Sequence, residues 1–155
     1  MSINGELQAF AQDAKIELFV LEGGSLGTDV FRFHAGVNEY FTNIIWQGNE
    51  YTAIPMQADG FEFNGKTFPR PKIQIANTLG AFSSLVAQYD DLIGCRVIRK
   101  QTLAKFLDAV NFNGGNPHAD PAQALPDESF YVTQKTVENK TYIEFELGTA
   151  LDISG

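Results

Sequence analysis

One octapeptide has the residue types and spacing of a phosphate-binding Walker A loop, Gly60-Phe61-Glu62-Phe63-Asn64-Gly65-Lys66-Thr67. Such a loop needs a helix that begins at the lysine, because the helix N-terminus and the loop amides hold the anion together. Pro69 and Pro71 follow instead, and each disfavours helical geometry in the residue before it. The alternation of aromatic and acidic residues is typical of a strand, and its carboxylate would repel phosphate. We therefore interpret the segment as a strand that enters a glycine turn.

Metal-ligating side chains gather in one later segment, which contains His118, Asp120, Asp127 and Glu128. Hard oxygen ligands would favour calcium or magnesium, but the spacing matches no calcium loop or zinc motif. A solvated loop is the simpler interpretation. We therefore predict no metal site.

The candidate nucleophiles are Ser83, Ser84 and Cys95, and the available bases are His34 and His118. Neither serine lies in a Gly-x-Ser-x-Gly elbow, and no thiol-enzyme signature surrounds Cys95. The sequence predicts that the chain is not an enzyme. A hydrolase stays open as an alternative, because a triad can assemble from residues that are distant in sequence.

The composition fits one domain over residues 1–155, since 44% hydrophobic and 12% aromatic residues suffice for a buried core. No stretch approaches the roughly 20 apolar residues of a membrane span, and the N-terminus lacks the basic start of a secretory signal. We expect a soluble protein, made in the cytoplasm, that does not contact membranes.

The charge balance disfavours sequence-specific binding of nucleic acid. The 11 basic and 19 acidic residues give a formal charge of −8, whereas nucleic-acid binding depends on Lys and Arg that neutralise phosphates. The acidic charge would repel DNA that passes by, or it would only keep the domain soluble. A single cysteine cannot form an internal disulfide or, by itself, a zinc or iron–sulfur site. We expect no cofactor in this chain.

Hydrophobic alternation predicts a mainly antiparallel β fold, either a barrel or a sandwich, with one or two short flanking helices. The predicted strands lie near residues 15–21, 31–33, 42–47, 50–54, 61–63, 72–75, 96–100, 129–137 and 140–147. The first of two hairpins turns at Gly48-Asn49 and the second at Glu138-Asn139. The strand that begins at Arg96 is expected to continue towards the run Phe106 to Val110.

Helical spacing is present in two segments. The first predicts a helix over residues 4–13, within an N-terminal arm of residues 1–14, and the second predicts a helix over residues 81–91. A long loop is predicted at residues 111–127, which are rich in Asn, Gly, Pro and Asp. Loops longer than about 12 residues usually carry function or are disordered, and we favour contact with a neighbouring subunit.

The run from Phe106 to Pro121, Phe-Leu-Asp-Ala-Val-Asn-Phe-Asn-Gly-Gly-Asn-Pro-His-Ala-Asp-Pro, resembles a signature of the phage minor tail protein L family of lambda-type phages. Further matching positions follow the same order along the chain: Trp46-Gln47-Gly48, Tyr51, Pro55, Gly60-Phe61-Glu62, Asn64-Gly65-Lys66, Arg70-Pro71 and Asn77. The resemblance spans roughly residues 15–121.

The resemblance implies a β domain like those of phage tail tubes and hubs, in a structural role at the virion tail tip. There a ring of subunits, expected to be a homotrimer, joins the end of the tail tube to the hub and host-recognition protein. Fuller members of the family continue into a cysteine-rich part that is associated with an iron–sulfur cluster. The resemblance therefore implies that this chain is the family's N-terminal portion, without the cysteines of that cluster.

We predict an assembly interface at two groups of residues: Phe61, Phe63 and Phe68 around the glycine turn, and Asn111, Asn113, Asn116, His118 and Asp120 in the long loop. Core burial is the equal alternative for the three phenylalanines. The alternative function is a stand-alone β-barrel module that binds a small ligand or a carbohydrate in a deep pocket.

Overall fold

The computed structural model describes residues 14–35, 43–61, 70–77, 81–112 and 114–149, with backbone alone for residues 81, 82 and 85. The strands are β1 (Lys15–Glu22), β2 (Val30–Ala35), β3 (Ile44–Trp46), β4 (Asn49–Ile54), β5 (Met56–Asp59), β6 (Lys72–Ala76), β7 (Arg96–Leu103), β8 (Glu128–Glu138) and β9 (Tyr142–Gly148). One α-helix is described, α1 (Ala81–Gln88). Short 3-10 turns lie at Gly24–Leu26, Asp90–Leu92, Ala104–Phe106 and Ala109–Asn111.

Hydrogen bonding orders the strands β3-β4-β2-β1-β7-β8-β9-β6-β5, and the prediction of a mainly β fold with few short helices is confirmed. The residues group into two compact units. Unit 1 consists of the described residues within Met1–Phe19, Arg32–Ile54 and Arg99–Glu128. Unit 2 consists of the described residues within Val20–Phe31, Pro55–Ile98 and Ser129–Gly155. The expectation of one domain stays a prediction.

Unit 1 contains the first predicted hairpin, formed by the antiparallel strands β3 and β4. Its turn is Gln47-Gly48, one residue earlier than predicted, because both residues have the positive φ (54° and 79°) that the favoured two-residue hairpin turn requires. β4 also pairs with β2 in parallel, whereas the pairs β5–β6, β6–β9 and β8–β9 are antiparallel, in keeping with the predicted mainly antiparallel fold. Trp46 and Tyr51 are each 1% exposed and form part of the core of this unit.

Unit 2 contains the second predicted hairpin, β8 and β9, whose register is antiparallel. β9 pairs with β6, so that Phe145 lies opposite Ile73 and Ile143 lies opposite Ile75. All four side chains are buried, which confirms the predicted apolar face of β9. β5 forms an additional strand beside β6 that the sequence pattern did not predict.

Three local predictions differ from the structure or lie outside it. The predicted helix over residues 81–91 ends at Gln88, because Asp90, Asp91 and Leu92 have left-handed φ values of 54°, 58° and 61°. β7 ends at Leu103, and 3-10 turns replace the expected extension towards Val110. The predicted helix at residues 4–13 lies outside the described residues.

In the described part of the chain, no helix combines the length and the apolar character that crossing a bilayer requires.

Candidate assembly surface

Asp108 holds the tip of the β3–β4 hairpin. Its Oδ1 accepts a hydrogen bond from the backbone N–H of Gln47 at 2.9 Å, and its Oδ2 accepts one from the N–H of Gly48 at 2.8 Å. These amides belong to the two turn residues with positive φ. One carboxylate therefore satisfies both donors of the turn and fastens it to the segment after β7.

Asn111 extends this attachment along β3, the strand at one end of the hydrogen-bonded order. Its Oδ1 accepts the backbone N–H of Ile45 at 2.8 Å, and its Nδ2 donates to the carbonyl of Ile45 at 2.6 Å. The side chain is 3% exposed. The side-chain amide of Asn111 thus makes the two hydrogen bonds that a neighbouring strand would make with the backbone of Ile45. Another chain therefore cannot pair with β3 at this residue.

Asn116 shapes the loop that follows. Its Nδ2 donates to the carbonyls of Lys105 at 2.9 Å and Leu107 at 2.7 Å, and its Oδ1 accepts the backbone N–H of His118 at 3.1 Å. The N–H of Asp120 donates to the carbonyl of Phe106 at 3.1 Å. The loop therefore folds back on the 3-10 turn Ala104–Phe106 and on Leu107, the residue after it.

The end of the loop is fastened to β7 and to the hairpin tip. Thr102 Oγ1 donates to the carbonyl of Gln123 at 2.7 Å, and the N–H of Leu125 donates to the carbonyl of Gln101 at 3.0 Å. Gln47 Nε2 donates to the carbonyl of Pro121 at 2.7 Å. Residues 114–127 contain no helix or strand, and these hydrogen bonds fix their course.

A cleft of about 290 Å³ lies in unit 1 between the end of β7 and this loop. Its apolar walls are Leu103, Phe106, Ala124 and Leu125, and Lys15 lies at its edge. Leu125 is 53% exposed. Gln101, Thr102 and Gln123 also line the cleft, but its surface is mainly apolar, so it can receive an aliphatic side chain.

A second recess, of about 360 Å³, lies in unit 2 and is lined by glycines together with Glu22, Arg96 and Tyr131. The hydrogen bond from Arg96 to Glu22 raises the pKa of the guanidinium further above its ordinary value. Because this group stays protonated, it supplies no acid or base for catalysis.

The predicted interface residues have different surroundings. Phe61 is 5% exposed and packs edge-to-face on Phe130 at 5.2 Å, and its place at an assembly interface stays a prediction. Asn111 is buried, Asn116 and Asp120 are half-buried, and His118 is exposed. Phe63, Phe68 and Asn113 lie outside the described residues.

Two residues that hold the hairpin tip were not predicted. Asp108 and Gln47 both lie in segments that carry the family resemblance, but the resemblance indicates no role for either side chain. The sequence does contain one indication of these roles. Asp108 and Asn111 are three residues apart, a spacing that places both side chains on the same face of one 3-10 turn.

Several of the polar groups considered for chemistry have structural partners. Asp127 pairs with Lys100 at 2.7 Å and Glu128 pairs with Arg99 at 2.7 Å, so two of the candidate metal-ligating carboxylates are engaged in ion pairs. Ser83 Oγ accepts a hydrogen bond from Asn77 Nδ2 at 2.8 Å. Within the described ranges, no three His, Cys, Asp or Glu side chains cluster as metal ligands would.

An iron–sulfur cluster, which the family resemblance implies for fuller members, does not fit the ligands of this chain. Such a cluster is usually held by about four cysteine thiolates, whereas this sequence has one cysteine. Cys95 is 0% exposed, and its Sγ donates to the carbonyl of Gly23 at 3.4 Å. This thiol is packed as a small core residue.

Perturbed pKa values mark structural contacts. Burial raises the pKa of Tyr51, and hydrogen bonds from Gln74 and Thr136 lower the pKa of Glu144. Neither side chain lines either of the recesses described above. The shifted pKa values of Tyr51 and Glu144 therefore reflect structural contacts away from both recesses.

Comparisons with known proteins point in one direction. The sequence model of the family described as phage minor tail protein L matches residues 24–155. The tail tip protein L of Escherichia phage lambda is 37% identical over 115 residues, which are 74% of this chain and 50% of that protein. This chain therefore spans about half the length of that relative.

Proposed function

The chain belongs to the phage minor tail protein L family and is a phage tail component, and we propose that it is a structural subunit of the tail tip. In this role, copies of the chain form a ring, a homotrimer, that joins the end of the tail tube to the hub and host-recognition protein. The ring acts by contact alone. The chain is made in the host cytoplasm and is incorporated into the virion.

One observation carries the proposal beyond family membership. The polar residues of the segment with the strongest family resemblance, among them Asp108, Asn111 and Asn116, use their side chains to hold backbone in unit 1. A catalytic segment would instead aim such groups into a cleft. These contacts support a segment whose purpose is to build a rigid surface.

The same reasoning supports a role without catalysis. His34 is 5% exposed and lies in β2, whereas His118 is exposed in the loop of unit 1. The candidate nucleophiles Ser83 and Cys95 are engaged in hydrogen bonds of unit 2. Hydrogen bonds within unit 2 thus give Ser83 and Cys95 a structural role.

The alternative function, a stand-alone module for a small ligand or a carbohydrate, has weaker support. The 290 Å³ cleft has one aromatic wall, Phe106, and lies at the lower size limit of small-molecule sites. Sugar binding to the isolated chain, measured by titration calorimetry, would favour this alternative.

The proposal is tested on purified particles. Mass spectrometry of virions freed from lysate protein is expected to find this polypeptide at a fixed ratio to the tail tube protein. Antibody labelling is expected to mark the distal end of the tail. Absence of the polypeptide from washed particles, or labelling of the capsid instead, would contradict the proposal.

A further inference from the structure

Four large aliphatic side chains are exposed in the described part of the chain: Val30, Ile93, Val110 and Leu125. Leu125 lines the apolar cleft of unit 1, and Ile93 projects from a turn of unit 2. We propose that the turn of one copy, at residues 90–94, inserts Ile93 into the unit 1 cleft of a second copy. This inference rests on the proposed ring of copies and names the surfaces that form it.

The turn that carries Ile93 has an unfavourable backbone that the surrounding unit holds in place. Asp90, Asp91 and Leu92 have φ values of 54°, 58° and 61°, in the left-handed region that residues other than glycine rarely enter in succession. Residues held in such conformations often belong to functional surfaces. The left-handed turn is therefore a candidate contact surface, and Ile93 is the large apolar side chain that it exposes.

Several contacts within unit 2 make this turn rigid. Leu92 is 2% exposed, and its N–H donates to the carbonyl of Tyr89 at 2.9 Å. Asp91 pairs with Lys135 at 3.0 Å, and the N–H of Gly94 donates to the carbonyl of Val132 at 2.9 Å. Because the turn is already ordered, little conformational entropy is lost when Ile93, 47% exposed, becomes covered.

The cleft has a complementary lining. Leu103, Phe106, Ala124 and Leu125 offer apolar contact, and a volume of about 290 Å³ accommodates an isoleucine side chain with part of its turn. Charges also match. Asp90 is exposed beside Ile93, and Lys15 is exposed at the edge of the cleft, so the two copies present opposite charges next to the apolar contact.

Val110 is a less suitable occupant, although it is 67% exposed. The carboxylate two residues before it, Asp108, is half-buried and already accepts two backbone hydrogen bonds. Val110 therefore has no freely exposed carboxylate beside it to face Lys15, as Ile93 has in Asp90. It provides a matched control, because it is also an exposed aliphatic residue on a short 3-10 turn.

A contact between two different surfaces repeats around a ring or along a filament, unless its geometry lets two copies exchange it reciprocally across a two-fold axis. Variants that each lose one of the two surfaces can therefore restore the contact when they are mixed. A copy with a mutated turn still has an intact cleft, and a copy with a mutated cleft still has an intact turn. A mixture of the two retains one intact contact for each pair of copies.

The test is sedimentation velocity of the purified chain over a range of concentrations. Ile93→Asp and Leu125→Asp are each expected to weaken self-association about tenfold or more, whereas Val110→Asp is expected to leave it within about twofold. An equimolar mixture of Ile93→Asp and Leu125→Asp is expected to form a heterodimer and nothing larger. Circular dichroism confirms that each variant is folded.

If self-association of the isolated chain is too weak for sedimentation velocity, cysteine cross-linking can still detect the contact. Asp90→Cys in one copy and Lys15→Cys in another are expected to form a disulfide-linked dimer, while Asp90→Cys with Lys140→Cys is the control pair. The natural Cys95 is 0% exposed and does not compete. Failure of the first pair to link more than the control overturns the inference, as does an equal loss of association in Val110→Asp.

These outcomes are distinct from failure of the proposed function. A chain that occupies the tail tip but associates through other surfaces refutes only the contact between Ile93 and the cleft. A chain that is absent from particles refutes the tail-tip proposal, whatever its self-association.

Discussion

The carboxylate of Asp108 is predicted to stabilise unit 1 because it satisfies both N–H groups of the hairpin turn. We expect Asp108→Ala to lower the free energy of unfolding by about 1–2 kcal/mol, since hydrogen bonds to a charged acceptor contribute more than neutral ones. Asp108→Asn, which keeps one acceptor oxygen, is expected to lose less. Urea unfolding of the three proteins measures the difference, and equal midpoints for Ala and wild type would contradict this role.

Asn111 is the residue at which a small chemical change should matter most. Its Nδ2 donates to the carbonyls of Ile45 and Asp108, so Asn111→Asp places a buried oxygen anion against two acceptors. We expect a loss of about 2–4 kcal/mol. Asn139→Asp is the matched control, because Asn139 Oδ1 only accepts hydrogen bonds, from Thr141 and Tyr142. Thermal unfolding in which both variants behave alike would refute this interpretation.

Neither of these residue roles could be read from the sequence. Asn111 and Ile45 are 66 positions apart, and Asp108 and Gln47 are 61 positions apart, so only the folded chain brings them together. Polar loop residues predicted contact with a neighbouring subunit, which stays a prediction. The contacts found for Asn111 and Asn116 within unit 1 join residues that the sequence pattern does not pair.

At the scale of elements, strands with clear alternation were predictable. Ile143, Phe145 and Leu147 alternate with polar residues, and β9 is found with those three side chains buried. β5, Met56-Gln57-Ala58-Asp59, was missed because it contains no β-branched or aromatic residue and is ordered by pairing with β6. The end of α1 was placed too late, because helical spacing does not show that Asp90 to Leu92 turn left-handed.

Cross-strand polar contacts in unit 2 predict a pH dependence of stability. Gln74 Nε2 donates to Glu144 at 2.8 Å and Thr136 Oγ1 donates to it at 2.6 Å, which lowers the pKa of Glu144 below its ordinary value of 4.5. A carboxyl group whose pKa is lowered by folding stabilises the fold above its unfolded pKa. This contribution is lost as the pH falls through the folded pKa.

The matching experiment compares wild type with Glu144→Gln by urea unfolding at several pH values. Between roughly pH 6 and pH 3, the unfolding free energy of the wild type is expected to fall more steeply than that of the variant. Parallel curves would show that these hydrogen bonds do not favour the ionised form.

For the whole molecule, family membership supports a structural component of a phage tail. The formal charge of −8 suits a component that DNA passes without binding, although it also keeps a protein soluble. The two surfaces proposed for copy-to-copy contact lie in different units, Ile93 in unit 2 and the cleft in unit 1. Repetition of such a contact allows a ring to form without any further component.

Image reconstruction of the tail tip from purified particles tests the central proposal most directly. We predict a closed ring of copies of this chain at the distal end of the tail tube, in contact with both the tube and the hub. Density at the tip that cannot contain this chain, or copies of the chain at another part of the virion, would contradict the proposal.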